Sequence, residues 1–356
     1  MKRVLYIICI SILMLSCERV ELTYNYSPYC DIVVNLDWSN MSEIPTGMTV
    51  RAYPQDGSTP TVYQSNAISS ATLSLPAGVY NILVFNQVPA DFGTVSFRGL
   101  DLWETAEVYA NENTSASWAT NVSRSSSTFV REPEDVAVAT YLDIEISDDM
   151  IDKSTEQYRL TKERIVVETL DLKPKVVVKR AFVRVQVDGI KNLLSTRAVL
   201  TGMADCYNFS TQQSGEIYVS HLLEEWTIED YEYNDRYGET NIYFMSFGIP
   251  TTTTSTRATS DWSGSIDLQM LLIDNQTIIE HSADITNRTT SNSEEETKSD
   301  TDTDIDIDIS VEIGFSGDDD DPMPYLPDVL PSGDVSSAFD ATVEDWGDEE
   351  SYDIIF

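Results

Sequence analysis

A period of two constrains this chain more than any other feature. Late in the sequence, Ile305, Ile307, Ile309, Val311, Ile313 and Phe315 alternate with Asp302, Asp304, Asp306, Asp308, Ser310 and Glu312. Side chains two residues apart share one face of a strand, so this segment carries an apolar face and an anionic one. Burying each isoleucine contributes about 1.5–3 kcal/mol, enough to outweigh repulsion along the acidic face. The same alternation runs through Ile32, Val34, Leu36 and Trp38. It returns in Ala181, Val183, Val185 and Val187, set against Phe182, Arg184 and Gln186. Further β-prone runs fall near 48–53, 71–75, 79–85, 94–100, 136–146, 164–171, 197–204, 215–220, 240–248 and 264–273. Pro76-Ala77-Gly78 reads as a hairpin turn between two of them. Strands this short and frequent predict an all-β chain built from β-sandwiches. A short amphipathic helix is expected at 189–196, an irregular connection at 104–127 and a polar loop at 250–260.

At 356 residues the chain exceeds a usual domain of roughly 100–200 residues, so two sandwiches in tandem are expected. Lys173-Pro174 marks the hinge, giving sandwiches over 29–172 and 173–316. An acidic segment follows at 317–356, with a final strand at Ala341–Phe356. The start of the chain has a different character. Lys2 and Arg3 precede an apolar run from Val4 to Leu15, and Ser16-Cys17 follows. The run is too short to span a bilayer and has the form of an export leader. A small residue directly before Cys resembles a bacterial lipobox, with Met14 where Leu is usual. The expectation is a leader over 1–16 that is cleaved, a lipidated Cys17, and a lipid-anchored linker over 17–28. Several acyl chains on one residue, at about 0.8 kcal/mol per buried CH₂, make a stable anchor.

A net charge of −38 excludes attraction to nucleic acid or to an anionic membrane surface. Of the four cysteines, Cys9 lies in the leader and Cys17 takes the lipid. Cys30 and Cys206 fall in different predicted domains and are expected as two separate buried thiols.

Chemistry is thinly provided for. The two histidines, His221 and His281, stand in no hydrolase order, and the expected role of each is a surface or hydrogen-bonded structural one. The chain has no G-x-S-x-G, no H-E-x-x-H, no C-x-x-C and no glycine-rich phosphate loop. A straight strand cannot wrap six to eight oxygens around calcium with Asp302 to Asp308, and Asp318 to Asp321 lack the spacing of a calcium loop. A non-enzymatic chain with no cofactor and no resident metal is expected. Aromatic residues are more plentiful: Tyr24, Tyr26 and Tyr29 follow the anchor, and Trp226, Tyr231, Tyr233, Tyr237 and Tyr243 crowd an acidic stretch. Such residues fill cores and cover sheet edges, or present a stacking platform to a glycan.

Several segments together resemble one family. They are Asp37-Trp38, Gly47 to Gly57 (GMTVRAYPQDG) and Leu75 to Asn86 (LPAGVYNILVFN), then Val185 to Asn192 (VQVDGIKN), Leu200 to Ala204 (LTGMA) and Phe339 to Trp346 (FDATVEDW). Their order resembles that of FimB-type minor fimbrial subunits, the anchor lipoproteins of type V pili in Bacteroides-like bacteria. The resemblance implies two tandem transthyretin-like β-sandwich domains held at the outer membrane, on the cell surface, by the lipid. It also implies fimbrillin-type pilus subunits as partners, joined by β-strand complementation. The alternative reading is a surface polysaccharide-binding lipoprotein. No protease site lies early enough in the chain to release a donor strand, which favours an anchor or accessory role over a stalk subunit.

Overall fold

In the computed structural model, the residues described are 28–114, 118–119, 128–231, 234–251, 263–286, 289–291, 308–315 and 321–332. The leader, Cys17, Tyr24, Tyr26, Tyr233, the loop 252–260, Asp302 to Asp306, Asp318 to Asp320 and the Ala341–Phe356 segment lie outside them. The described chain is an all-β protein of sandwich type, and its sheets group into two units.

The first unit takes the described residues to Phe85 together with Ala139–Pro174. Its strands are β1 (Cys30–Leu36), β2 (Met48–Pro54), β3 (Thr61–Ser65), β4 (Ser70–Leu75), β5 (Gly78–Asn86), β9 (Ala137–Ile146) and β10 (Val166–Leu172). One sheet has the order β10-β1-β4, and the other runs β9-β5-β2-β3, with the two-residue strand Lys175–Val176 paired to the start of β9. Strand β1 lies parallel to β10 and antiparallel to β4. The period of two is realised here: Cys30, Ile32 and Val34 are fully buried, while Asp31 on the opposite face accepts a hydrogen bond from Ser74 Oγ at 2.6 Å. The turn at 76–78 joins β4 to β5, as its breaker residues predict.

A helix, α1 (Asp148–Thr161), carries the chain from β9 to β10. Sequence periodicity does not announce it, because the residues it buries are Ile151 and Ser154. Its ends explain it better. Ser147 is the N-cap, its hydroxyl accepting from Met150 N at 3.4 Å, and Asp148 and Asp149 meet the positive end of the helix dipole. Lys162 closes the helix in the left-handed region at φ 67°. Ser154 Oγ then pins it, donating to Tyr29 O at 2.7 Å and accepting from Ile165 N at 3.1 Å. Ser147→Ala is expected to cost about 1 kcal/mol, read as a lower urea midpoint at an unchanged slope.

The second unit takes Asn86–Val138 and the described residues from Lys175 onward. Its strands are β6 (Val95–Arg98), β7 (Glu107–Ala110), β8 (Thr128–Val130), β11 (Lys175–Val176), β12 (Lys179–Asp188), β13 (Leu193–Ala204), β14 (Cys206–Asn208) and β15 (Gln213–Ser214). They continue with β16 (Tyr218–Leu223), β17 (Thr227–Tyr231), β18 (Asn234–Ser246), β19 (Ser265–Leu272), β20 (Ile278–Asp284), β21 (Thr289–Ser291) and β22 (Ile309–Ile313). Two five-stranded sheets, β17-β18-β12-β22-β21 and β20-β19-β13-β16-β8, accompany a four-stranded sheet β15-β14-β7-β6. Ala181, Val183, Val185 and Val187 of β12 are fully buried, and so are Ile266, Met270 and Leu272 of β19. Strand β22 follows the acidic alternation: Ile309, Val311 and Ile313 are buried while Glu312 is exposed.

Two local expectations are corrected. Where a helix was expected at 189–196, Gly189 turns the chain at φ 91°, a 3₁₀ turn spans Ile190–Asn192, and β13 begins at Leu193. Leu193 and Leu194 lie beside each other as a helical face would need, but pairing of Leu193 with Leu272 decides the conformation. A side chain at 189 would place its Cβ 2.3 Å from Leu326 O, so glycine is required there. The expected irregular connection at 104–127 contains β7, held antiparallel between β6 and β14. Among the described residues no helix is long and apolar enough to cross a membrane.

Candidate interaction surfaces

The outer face of the β12 sheet carries aromatic and charged residues in register. Opposite partners across β12 and β18 are Phe182 with Tyr243, Arg184 with Asn241 and Gln186 with Glu239. The Phe182 and Tyr243 rings lie 4.5 Å apart at 33°, a cross-strand pair of the kind that stabilises sheets. Arg184 reaches Glu312 at 2.5 Å and Glu239 at 3.5 Å, and its guanidinium sits 4.3 Å from the centre of the Phe315 ring. Tyr231 donates its hydroxyl to Glu239 at 2.8 Å, and burial, followed by that bond, raises its pKa. The anionic face of β22 is therefore met by the cations of β12. Asp308 likewise accepts from Arg180 N at 2.8 Å and pairs with Lys179 at 3.5 Å. In its described part the anionic face predicted here is a charge-matched seam.

Among the described residues, the aromatic side chains singled out from sequence make separate contacts. Trp226 gives its indole N–H to Leu223 O at 3.0 Å, and Tyr237 lies under the Arg236 guanidinium at 5.3 Å. Tyr243, 40% exposed, stacks on Phe182. Arg236 in turn holds both carboxylate oxygens of Asp188, at 2.6 and 2.5 Å, and this bidentate pair lowers the Asp188 pKa.

In the first unit the notable feature is the free flank of a sheet. On the side of β9 away from β5, only the two-residue strand β11 is paired, Val176 with Ala137 and Lys175 with Val138. Among the described residues no strand pairs with its outer side from Tyr141 to Ile146. Tyr141 and Leu142 are 41% and 47% exposed on this stretch. Asp143 interrupts the inner ladder at φ 61°: its N–H donates to Asn81 Oδ1 at 3.2 Å, and its carboxylate accepts from Gln55 at 2.6 Å.

The residues weighed for chemistry are placed as structure. His221 is 1% exposed, its ring 5.4 Å from that of Phe244, and neither nitrogen finds a hydrogen-bond partner. Burial lowers its pKa to about 4, which makes it a neutral core residue and not the surface or hydrogen-bonded one expected. His281 lies on the edge strand β20, opposite Leu268. Cys30 and Cys206 are free, buried thiols, as expected. Cys206 donates to Glu107 at 3.4 Å, and burial, reinforced by the Asp205 and Glu107 carboxylates, pushes its pKa up. A thiol so placed is inert at neutral pH. Arg98 bridges the same Glu107 to Asp205, tying β6 to β7 and to the end of β13. No group of three metal-ligating side chains occurs among the described residues.

The fold is similar to that of solved structures. A candidate adhesin from Bacteroides ovatus shares 19% identity, with 76% of this chain and 88% of that one covered at a TM-score of 0.50. The fimbrial anchor protein Mfa2 from Porphyromonas gingivalis shares 11% identity, over 67% of this chain and 77% of that one, at a TM-score of 0.38. A candidate polysaccharide-binding protein from Bacteroides thetaiotaomicron shares 8%, over 72% and 80%, at 0.38. The fold assignment rests on the first of these. No curated protein matches by sequence. Residues 16–224, which take in the first unit, Gly189 and β13 to β16, match one family throughout, and the chain belongs to that family, described as Domain of unknown function (DUF5119).

Proposed function

We propose that this chain is a lipid-anchored protein of the outer membrane that serves as a fimbrial anchor or minor fimbrial subunit of the FimB type. Its partners are fimbrillin-type pilus subunits, joined when a strand of the partner adds to an open sheet edge. The observation that carries this reading is the flank of β9, where alternate main-chain groups from Tyr141 to Ile146 meet no strand among the described residues, beside two exposed apolar side chains. An added strand satisfies those groups, and its alternate side chains cover Tyr141 and Leu142. The fold shared with a candidate adhesin supports a role at the surface, as does the order of the sequence segments. The leader over 1–16 and the linker over 17–28 place acylated Cys17 in the membrane, with the two sandwiches hung beyond it.

The test is capture of the tagged full chain, solubilised in detergent from its native cells, with mass spectrometry of what accompanies it. Fimbrillin-like chains are expected with the parent protein. Their recovery falls at least tenfold for Tyr141→Lys/Leu142→Lys, which charges the edge without touching the core. Cys17→Ala is expected to release the protein from the membrane fraction and to abolish palmitate incorporation. Capture of glycan with no protein partner, or a partner indifferent to the edge substitutions, rejects strand addition.

A further inference from the structure

From Gly57 to Ala90 the chain runs for 34 residues without a single Asp, Glu, Lys, Arg or His. With 23% of all residues charged, about eight would fall in a stretch of that length. Burial accounts for part of the run, because Tyr80 to Asn86 of β5 are all buried. It does not account for the rest. Thr61, Val62 and Gln64 of β3, and Ser70 and Thr72 of β4, are exposed, where roughly 25–35% of surface residues are usually charged.

The place of these residues in the fold gives the run its meaning. Among the described residues β3 ends the β9-β5-β2-β3 sheet, paired with β2 from Met48 with Ser65 to Ala52 with Thr61. Strand β4 ends the β10-β1-β4 sheet. Only residues 66–69 join β3 to β4, so the two edges lie on one flank of the first unit. An open edge invites another strand, and proteins commonly guard it with charge. Edges β10, β17 and β20 follow that rule, with Glu168 and Asp171, Glu229 and Asp230, and Glu280 and Asp284. Strands β3 and β4 carry no such guard. Of the charges nearby, Arg51 stands opposite Val62 with Asp56 in the preceding turn, and Arg164 and Asp31, 3.8 Å apart, both hydrogen-bond Ser74. Positive and negative are even.

We propose that a second copy of this chain docks on the flank, β3 pairing antiparallel with β3 of the other copy about a two-fold axis at Tyr63. Charge selects the occupant. Each copy carries −38, so two copies repel wherever their acidic surfaces meet. Screening confines that repulsion to about 8 Å at physiological salt, and a strand of this length extends about 17 Å. Copies therefore touch at least electrostatic cost along an uncharged flank. Centring the axis on Tyr63 is the one register that gives all five residues of β3 a partner. Thr61 then lies opposite Ser65 and Val62 opposite Gln64, with no like charges opposed. Two strands per copy make a smaller contact than the roughly 20–30 residues a side of a stable complex. The dimer is accordingly reversible and concentration-dependent. The edge assigned to a pilus partner is β9, at the opposite end of the same sheet, so the two readings stand or fall separately.

The full chain, purified in detergent with micelles in excess over protein, is followed by sedimentation velocity up to high micromolar concentration. The parent is expected to pass from monomer to dimer and no further. Val62→Lys/Gln64→Lys sets like charges opposite each other twice across the axis, and is expected to weaken the dimer at least tenfold. Val62→Glu/Gln64→Glu is expected to do the same. Mixing the two variants should restore a dimer, because each lysine then meets a glutamate, a result that misfolding of either variant cannot produce. The proposal is overturned if the parent stays monomeric throughout, or if both charged variants dimerise as the parent does. It is equally overturned if the mixed variants, each with the parent's urea midpoint, fail to associate.

Discussion

Phe244→Ala is expected to lower the stability of the second unit by about 3–5 kcal/mol, the cost of removing a whole ring from a close-packed core. Phe244 is 1% exposed on β18, where it pairs with Ala181 of β12 and packs its ring against that of His221 from the β16 sheet. Ala181 is small and fully buried, so it cannot expand into the space that a missing ring leaves. The loss is therefore both transfer free energy and an unfilled cavity. Its neighbour provides the control. Tyr243 points to the other face and is 40% exposed, so Tyr243→Ala should cost about 1 kcal/mol, chiefly the ring pair with Phe182. Urea titration of both variants checks this; equal costs for the two substitutions would contradict the assignment of faces.

Acid is expected to weaken the same unit through His221. Its pKa is lowered from the ordinary 6.5 to about 4 because the buried ring cannot be charged without water or a partner. Above pH 6.5 the imidazole is neutral whether the chain is folded or not, and contributes no pH dependence. Between pH 6.5 and about 4 only the unfolded chain takes up the proton, so stability falls as pH falls. Below about 4 both states are protonated and the effect levels off. The span corresponds to about 3 kcal/mol. Many carboxylates titrate near the lower end of this window, so the informative quantity is the difference between the parent and His221→Leu at pH 7, 5.5 and 4. The variant should lose less stability on acidification by about that amount. Parallel profiles would show that His221 is not the titrating group.

What could be read from sequence was what depends on near neighbours. The alternation in β1, in β12 and in the described end of β22 needs only the pleat of a strand, and each carries the predicted face inward. The separate thiols Cys30 and Cys206 followed from their spacing. Helix α1 escaped notice because it buries Ile151 and Ser154 and relies on its cap and on Ser154 hydrogen bonds to Tyr29 and Ile165. Leu193 and Leu194 misled because a doublet fits a helical face until the partner Leu272 is known. The same limit hid the charge seam, since Asp308 and Glu312 meet Lys179, Arg180 and Arg184 from more than a hundred residues away.

The position of β22 also dictates an order of events. It runs parallel to β12 and fills the gap between β12 and β21, in register from Ala181 with Ile309 to Val185 with Ile313. Synthesis from the N-terminus delivers β12 long before the strand that flanks it. Until residue 313 arrives, the main-chain groups and the three cations along one side of β12 stay bare. Non-local pairing of this kind is slow to form and leaves the half-finished sheet open to foreign strands. Asp308 and Glu312 of the late strand match in charge the Lys179 and Arg184 side chains of the strand it joins.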